Sequence, residues 1–321
     1  MAESKIPLIA IVGPTASGKT SLAVEICKRI NGEAVSCDSM QIYKGMDIAT
    51  AKPTEEEMQG IPHHLIGFLE PDEVFSVAKY CEAAGEIIRD IHSRGKKAVL
   101  VGGTGLYYSS LVDNIEFLPE ETDFAYREEL KKRAETEGAQ SLLDELASID
   151  PEAASRLHEN NLGRIIRALE IYKTTGKTIT MQNEASRLNP SPYNVVAICL
   201  DSRDRQFLYD RINRRVDLML EAGLLEEAKE FFENPLGRTA KQAIGYKELN
   251  PYFSGEKTLD ECIDNLKMQT RRYAKRQLTW FRRDEKIRFV NIDDYSDSES
   301  LVEAVIGIIG EEEEKWKTKT D

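Results

Sequence analysis

Short apolar runs alternate with stretches of helical period over residues 5 to 111. The runs Pro7-Leu8-Ile9-Ala10-Ile11-Val12, Ala34-Val35-Ser36-Cys37 and Ala98-Val99-Leu100-Val101 carry almost no polar side chain, as expected of parallel strands covered on both faces. Between them, Ser21 to Ile30 and Val77 to Arg94 repeat apolar residues every three or four positions, the pattern of helices packed on such a sheet. From 115 to 190 the strand signal disappears. Helical patterns take over at Phe124 to Glu137, Ala139 to Ala147 and Asn161 to Thr175, the last with Leu162, Ile165, Ile166, Leu169 and Tyr172 on one side. Gly176 reads as the stop of that helix, so Gly176-Lys177-Thr178 only imitates a phosphate motif. The strand signal returns at Val195-Val196-Ala197-Ile198-Cys199-Leu200, and a long helix follows from about Ser202 to Glu221. The pattern predicts an α/β core of residues 1–114 and 191–321 and a helical insertion domain of residues 115–190.

The first apolar run feeds directly into Gly13-Pro14-Thr15-Ala16-Ser17-Gly18-Lys19-Thr20, a complete G-x-x-x-x-G-K-T phosphate loop. Glycines let the backbone curl so that successive N–H groups converge on phosphate oxygens, and the helix behind adds its positive end. Lys19 would reach the outer phosphates and Thr20 would ligate Mg²⁺. The fold class is therefore α/β, with a P-loop NTPase-like parallel sheet core, an inserted helical domain and C-terminal helices.

What happens to the phosphate depends on the neighbouring strand ends. A kinase or ATPase of this class carries an Asp after a second strand, but Ala98 to Val101 runs into Gly102-Gly103-Thr104-Gly105. The carboxylate follows the other run, as Asp38 in Asp38-Ser39-Met40-Gln41-Ile42-Tyr43. Carboxyl ends of parallel strands line the ligand crevice, so Asp38 and the phosphate loop are expected to face one site. A general base suits that position; a helix cap or a ligand of Mg²⁺-bound water are the plainer alternatives. On the long helix, Leu208, Ile212, Val216 and Met219 form a buried stripe, with Arg211 and Arg215 one turn apart beside it. Either arginine could neutralise a leaving diphosphate or pair with Asp210 or Asp217 at the surface.

Charge changes this picture in one place. The net charge of −13 argues against a general coat for nucleic acid. Yet Arg271, Arg272, Lys275, Arg276, Arg282, Arg283, Lys286 and Arg288 surround Tyr273, Trp280 and Phe281, a mixture suited to phosphates and unstacked bases, or to a merely solvated helix face. The acidic run Glu311 to Glu314 reads as a solubilising, partly disordered end. Five scattered cysteines lack metal-ligand spacing, and no secretory or membrane segment is evident, which fits a reducing cytosol. His63 and His64 are neighbours on an extended segment, pointing to opposite faces, and read as structural.

Six ordered blocks, the phosphate loop, Asp38-Ser39-Met40-Gln41, Val101-Gly102-Gly103-Thr104-Gly105-Leu106-Tyr107, Arg164-Ile165-Ile166-Arg167-Ala168-Leu169-Glu170, Ile244-Gly245-Tyr246 and Lys275 to Arg282, together resemble the bacterial tRNA dimethylallyltransferase (tRNA isopentenyltransferase) family over nearly the whole chain. The resemblance implies transfer of a dimethylallyl group from dimethylallyl diphosphate to the exocyclic N6 amine of the adenosine 3′-adjacent to the anticodon, in tRNAs reading codons that begin with U, with release of diphosphate and with Mg²⁺ as cofactor. It implies that Gly13, Pro14, Thr15, Ala16, Ser17, Gly18, Lys19 and Thr20 hold the diphosphate, that Thr20 holds the metal, and that Asp38 and Arg215 are catalytic, Arg211 being the alternative arginine. The partners implied are dimethylallyl diphosphate and the anticodon stem-loop of tRNA. The tRNA contacts carried over are Asp38, Ser39, Met40, Gln41, Thr104, Arg127, Gly163, Arg164, Ile165, Ile166, Arg167, Gln242, Ala243, Ile244, Gly245, Tyr246, Lys247, Lys275, Arg276, Gln277, Leu278, Thr279, Trp280, Phe281 and Arg282. The implied protein is a cytoplasmic monomer without a membrane partner, of bacterial type, lacking the Cys/His extension of eukaryotic relatives. One departure stands out: Gly67 occupies a position where many members of the family carry Asp.

Overall fold

The computed structural model describes residues 5–117, 123–187, 189–234, 237 and 239–318. Along the chain lie β1 (Ile6–Val12), α1 (Lys19–Ile30), β2 (Gly32–Ser36), α2 (Glu55–Met58), β3 (His63–His64), α3 (Val77–Ser93), β4 (Lys97–Gly102) and α4 (Gly105–Val112). The helical stretch holds α5 (Phe124–Glu137), α6 (Ala139–Ile149), α7 (Pro151–Ser155), α8 (Leu162–Thr175) and α9 (Ile179–Arg187). Then come β5 (Tyr193–Asp201), α10 (Arg205–Glu221), α11 (Leu224–Glu233), α12 (Tyr246–Phe253), α13 (Leu259–Phe281), β6 (Arg288–Asn291) and α14 (Ser298–Thr318). The chain divides into two compact units, Met1–Val112 with Pro192–Asp321, and Asp113–Ser191.

In the first unit the strands form one parallel sheet in the order β3-β2-β4-β1-β5-β6. The alternation along β1 shows why its sequence is wholly apolar: Leu8, Ala10 and Val12 face one core with Tyr80, Ala84 and Tyr108, while Ile9 and Ile11 face the other with Leu22, Ile26 and Val305. A third cluster joins Ile42, Tyr43 and Met46 to Val216, Leu224, Tyr246 and Leu249, and so anchors the loops beyond the strand ends. The second unit is a helical bundle around Leu130, Leu142, Leu146, Ile165, Ile166 and Leu169.

Two expectations change. The acidic run is no loose end: Glu311 to Glu314 are turns of α14, where Glu313 pairs with Lys97, and Glu312 with Arg288 and Lys315. The basic stretch is not one element either, because α13 ends at Phe281 and Arg288 opens the edge strand β6. At the opposite edge, β3 is tied down by buried Glu33, which accepts from Arg94 (2.6 and 2.8 Å), Lys96 (2.7 Å) and His64 (2.8 Å). The Arg94 guanidinium above all holds the Glu33 carboxyl far below the usual range.

Candidate active site

The phosphate loop occupies the turn between β1 and α1. Gly18 precedes the helix at φ +90°, a left-handed conformation that disfavours a Cβ, and no side chain caps α1 nor does any acidic residue enter its first turn. The positive helix end is thus left for an external anion. Ser17 Oγ donates to Pro14 O at 2.8 Å, and Lys19 Nζ folds back to the same carbonyl. Burial, and then the neighbouring Arg215 charge, lower the Lys19 pKa to about 8.

Asp38 lies just past β2 and is half-buried. Its Oδ1 accepts from the backbone N–H of Met40 (2.9 Å) and Gln41 (3.4 Å), so one oxygen caps the turn; Oδ2 receives no hydrogen bond among the described residues. Burial raises the Asp38 pKa, against the opposing pull of the Met40 N–H and the Lys19 and Arg215 charges. Thr104, two residues past β4, braces the same turn, with Oγ1 accepting from Ser39 N at 3.0 Å. Gln41 braces the other side by donating to the carbonyls of Thr50 (3.3 Å) and Ala51 (3.0 Å).

The two arginines of α10 separate cleanly. Arg211 Nε donates to Ala16 O at 2.9 Å and supports the phosphate loop. Arg215 lies in the cavity wall with Lys19 and Asp38, and burial lowers its pKa, the Glu57 and Asp38 carboxylates opposing. Neither pairs with Asp210 or Asp217, which accept from Gln206 and Lys267 instead. The cavity, about 800 Å³, is lined within the first unit by Gly18, Lys19, Thr20, Asp38, Arg215 and Arg276 among others. Its wall becomes apolar toward Ile48, Ala49, Met219, Leu224 and Ile244.

Helix α13 brings the basic residues to this site and explains the glycines after β4. A Cβ on Gly103 would lie 2.1 Å from Gln277 Nε2, and one on Gly105 would lie 2.2 Å from the Trp280 ring. Gln277 is 5% exposed; its Oε1 accepts from Thr15 N and its Nε2 donates to Gly103 O, each at 3.0 Å. That amide is consumed in tying α13 to the phosphate loop, a role no spacing in the sequence signals. Phe281 is buried beside Tyr108, and Leu278 and Trp280 pack on the core. Lys275, Arg276, Thr279 and Arg282 remain exposed, Arg282 donating to Asp201 at 2.8 Å.

The other residues singled out as RNA contacts sort in the same way. Gln242, Ala243, Ile244, Gly245 and Lys247 line the cavity, whereas Tyr246 is buried and donates its hydroxyl to Glu227. In the helical unit Ile165 and Ile166 are core residues, so their side chains offer nothing to RNA; Gly163 and Arg164 are exposed. Arg127 (Nε and Nη2, both 2.7 Å) and Arg167 (Nη1, 2.7 Å) converge on buried Glu170, which orients both guanidinium groups. The histidine pair has no common ligand: His63 Nδ1 faces Ile61 O at 2.8 Å and His64 Nε2 faces Glu33. Among the described residues no group of three His, Cys, Asp or Glu side chains could hold a metal, and no helix is long and apolar enough to cross a membrane.

A first strand feeding a phosphate loop, with a carboxylate of raised pKa and an arginine gathered over it in one cavity, defines a P-loop protein built to hold a polyphosphate beside a base. Comparison with known proteins narrows the class. Residues 41–284 match the family model described as IPP transferase. A tRNA dimethylallyltransferase of Thermoanaerobacter sp. strain X514 is 50% identical over 305 residues, covering 94% of this chain and 96% of that protein, and one of Bacillus subtilis strain 168 is 48% identical over 293 residues, covering 91% and 93%. The crystal structure of the full-length tRNA isopentenylpyrophosphate transferase of Bacillus halodurans superposes with TM-score 0.70 at 46% identity, covering 97% of this chain and 99% of that one. A eukaryotic dimethylallyltransferase acting on tRNA superposes with TM-score 0.75 at 30% identity, covering 89% and 73%. The chain belongs to the IPP transferase family, the tRNA dimethylallyltransferases.

Proposed function

We propose that this protein transfers the dimethylallyl group of dimethylallyl diphosphate to N6 of adenosine 37 in the anticodon loop of tRNAs reading codons that begin with U. The observation that carries the reading is Asp38, a carboxylate with a free oxygen and a raised pKa, sharing one cavity with a phosphate loop that has no strand-end Asp for phosphoryl transfer. An exocyclic amine is a poor nucleophile because its lone pair is delocalised into the ring. Asp38 Oδ2 takes the N6 proton as the carbon–nitrogen bond forms and the carbon–oxygen bond to diphosphate breaks. The phosphate-loop N–H groups, Lys19 and Arg215 hold the departing diphosphate where its charge grows. The target base has to leave the anticodon stack to reach Asp38. Exposed Lys275 and Arg276, with Arg282, Gly163 and Arg164, supply RNA contacts, whereas buried Gln277, Phe281, Tyr246, Ile165 and Ile166 shape the surfaces that make them. The enzyme acts as a monomer, in the cytoplasm where its tRNA substrate is found.

Thr20 is suited to Mg²⁺. Its hydroxyl lies on the cavity wall without a hydrogen bond among the described residues, and the missing carboxylate cage fits an ion held mainly by phosphate oxygens and water. Bound there, Mg²⁺ would neutralise diphosphate charge. The reading is tested by incubating the protein with Mg²⁺, dimethylallyl diphosphate and unmodified tRNA and analysing the nucleosides by mass; dimethylallyladenosine is expected, and its absence refutes the reading.

Two further results are expected here. Lys19 binds anions while protonated, so with its pKa near 8 the affinity for inorganic diphosphate should fall as pH rises through that value, by up to about tenfold per unit. Diphosphate itself titrates nearby, so the measurement is the difference in slope between wild type and Lys19→Met; parallel slopes would remove Lys19 from diphosphate binding. On α13, replacing Lys275 and Arg276 by Ala should weaken tRNA binding and flatten its salt dependence by somewhat under about one unit of slope for each phosphate no longer neutralised. Adding Arg282→Ala should change the slope less, since Asp201 already compensates that charge. An unchanged slope in the double variant would show the basic face to be only solvated.

A further inference from the structure

Glu227, on α11 outside the cavity, accepts four hydrogen bonds that no part of the proposed chemistry uses. Three come from successive backbone N–H groups of the loop after Met46: Asp47 at 2.9 Å and Ile48 at 2.8 Å to Oε2, and Ala49 at 2.9 Å to Oε1. The fourth comes from the Tyr246 hydroxyl at 2.8 Å, also to Oε1. Residues 47–52 form one wall of the cavity and 242–245 another. The two walls meet at the carboxylate, where a Cβ on Gly245 would lie 2.9 Å from Ala49 Cβ. A single carboxylate therefore ties both loops together where they touch. Tyr246 is buried and the Ile48 and Ala49 N–H groups are partly so, and such donors are costly to leave unpaired, so these bonds act together.

The same loop is held from within the site by Gln41, whose side chain donates to Thr50 O and Ala51 O and whose backbone N–H donates to Asp38 Oδ1. A chain of bonds thus runs from Glu227 through residues 47–51 and Gln41 to the turn that orients Asp38. We propose that Glu227 is a positioning residue for the transfer reaction: it clasps the two loop walls and, through Gln41, fixes the aim of Asp38. The proposal rests on the functional reading above. Glu227 lies on the outer side of the loop and touches neither the phosphate loop nor Asp38, so its loss should act on turnover and leave anion binding alone.

Glu227→Gln keeps the shape but replaces one acceptor oxygen by an NH₂ group facing N–H donors. Its kcat should fall about ten- to hundredfold, the scale of a misplacement of about 1 Å. Affinity for inorganic diphosphate and the KM for dimethylallyl diphosphate should stay within about twofold. Amide hydrogen exchange should accelerate in the peptide containing Asp47, Ile48 and Ala49 and stay unchanged over β1 and α1. Tyr246→Phe, which removes only one donor, should give a smaller fall in the same direction. Unchanged kcat, exchange at residues 47–49 as slow as in wild type, or exchange accelerated over the whole chain overturns the clasp. Failure of the wild-type protein to modify tRNA instead overturns the functional reading, and with it the positioning role, whatever the exchange result.

Discussion

Asp38→Ala should lower the single-turnover rate of dimethylallyl transfer by on the order of 10² to 10⁴, the contribution of a well-placed general base, while tRNA affinity stays close to wild type. The structure gives the reason for that split. One carboxylate oxygen is engaged by Met40 and Gln41 N–H groups and the other accepts no hydrogen bond among the described residues, so this cavity-lining side chain is held in place and still free to take a proton. Asp38→Asn keeps the acceptor for the turn but is no base, and should lose nearly as much rate as Asp38→Ala. Burial raises the Asp38 pKa, and the base works only when ionised; activity should therefore decline with acid at a higher pH than an ordinary carboxylate would give and stay constant from that step up to the pH where Lys19 loses its proton. The residual activity of Asp38→Asn should lack the acid step. Single-turnover rates near wild type in either variant would reduce Asp38 to the capping role that the sequence alone left open.

How far the sequence could be read depended on whether a residue's partners were local. β1, its phosphate loop and α1 carry their own pattern, apolar run, glycine spacing and 3.6-residue period, and each forms where that pattern puts it. Asp38 was legible for the same reason, as a carboxylate at the end of an apolar run. The work of Gln277 was not, since Thr15 and Gly103 lie 262 and 174 residues away and polar residues on a basic helix look alike. Arg211 and Arg215 sit one turn apart on the same helix with the same candidate partners; only the packing of α10 sends one to Ala16 O and the other into the cavity. The order of Glu311 to Glu314 is invisible in composition because the partners Arg288 and Lys97 come from two different strands. Glu227 gave no signal at all, because its partners are mostly backbone groups.

Arg215→Ala should reduce kcat by on the order of 10² to 10³, the loss expected when one preorganised donor to developing negative charge is removed. Because that charge is greatest as diphosphate departs, kcat should suffer more than the KM for dimethylallyl diphosphate. Arg211→Ala should do the opposite: its guanidinium braces the loop at Ala16 O, so its loss should weaken binding of inorganic diphosphate with a smaller effect on the chemical step. The coupling between Arg215 and Lys19 supplies a second, independent readout. After burial, the Arg215 charge is the next cause of the lowered Lys19 pKa, and removing it should let that pKa climb from about 8. The alkaline fall in diphosphate affinity should then move to higher pH in Arg215→Ala and stay in place in Arg211→Ala. Diphosphate binding measured by calorimetry across pH separates the two. If Arg215→Ala leaves turnover, diphosphate affinity and the position of the alkaline limb unchanged, its guanidinium does not face the leaving group, and Lys19 with the phosphate-loop N–H groups has to carry the departing charge without it.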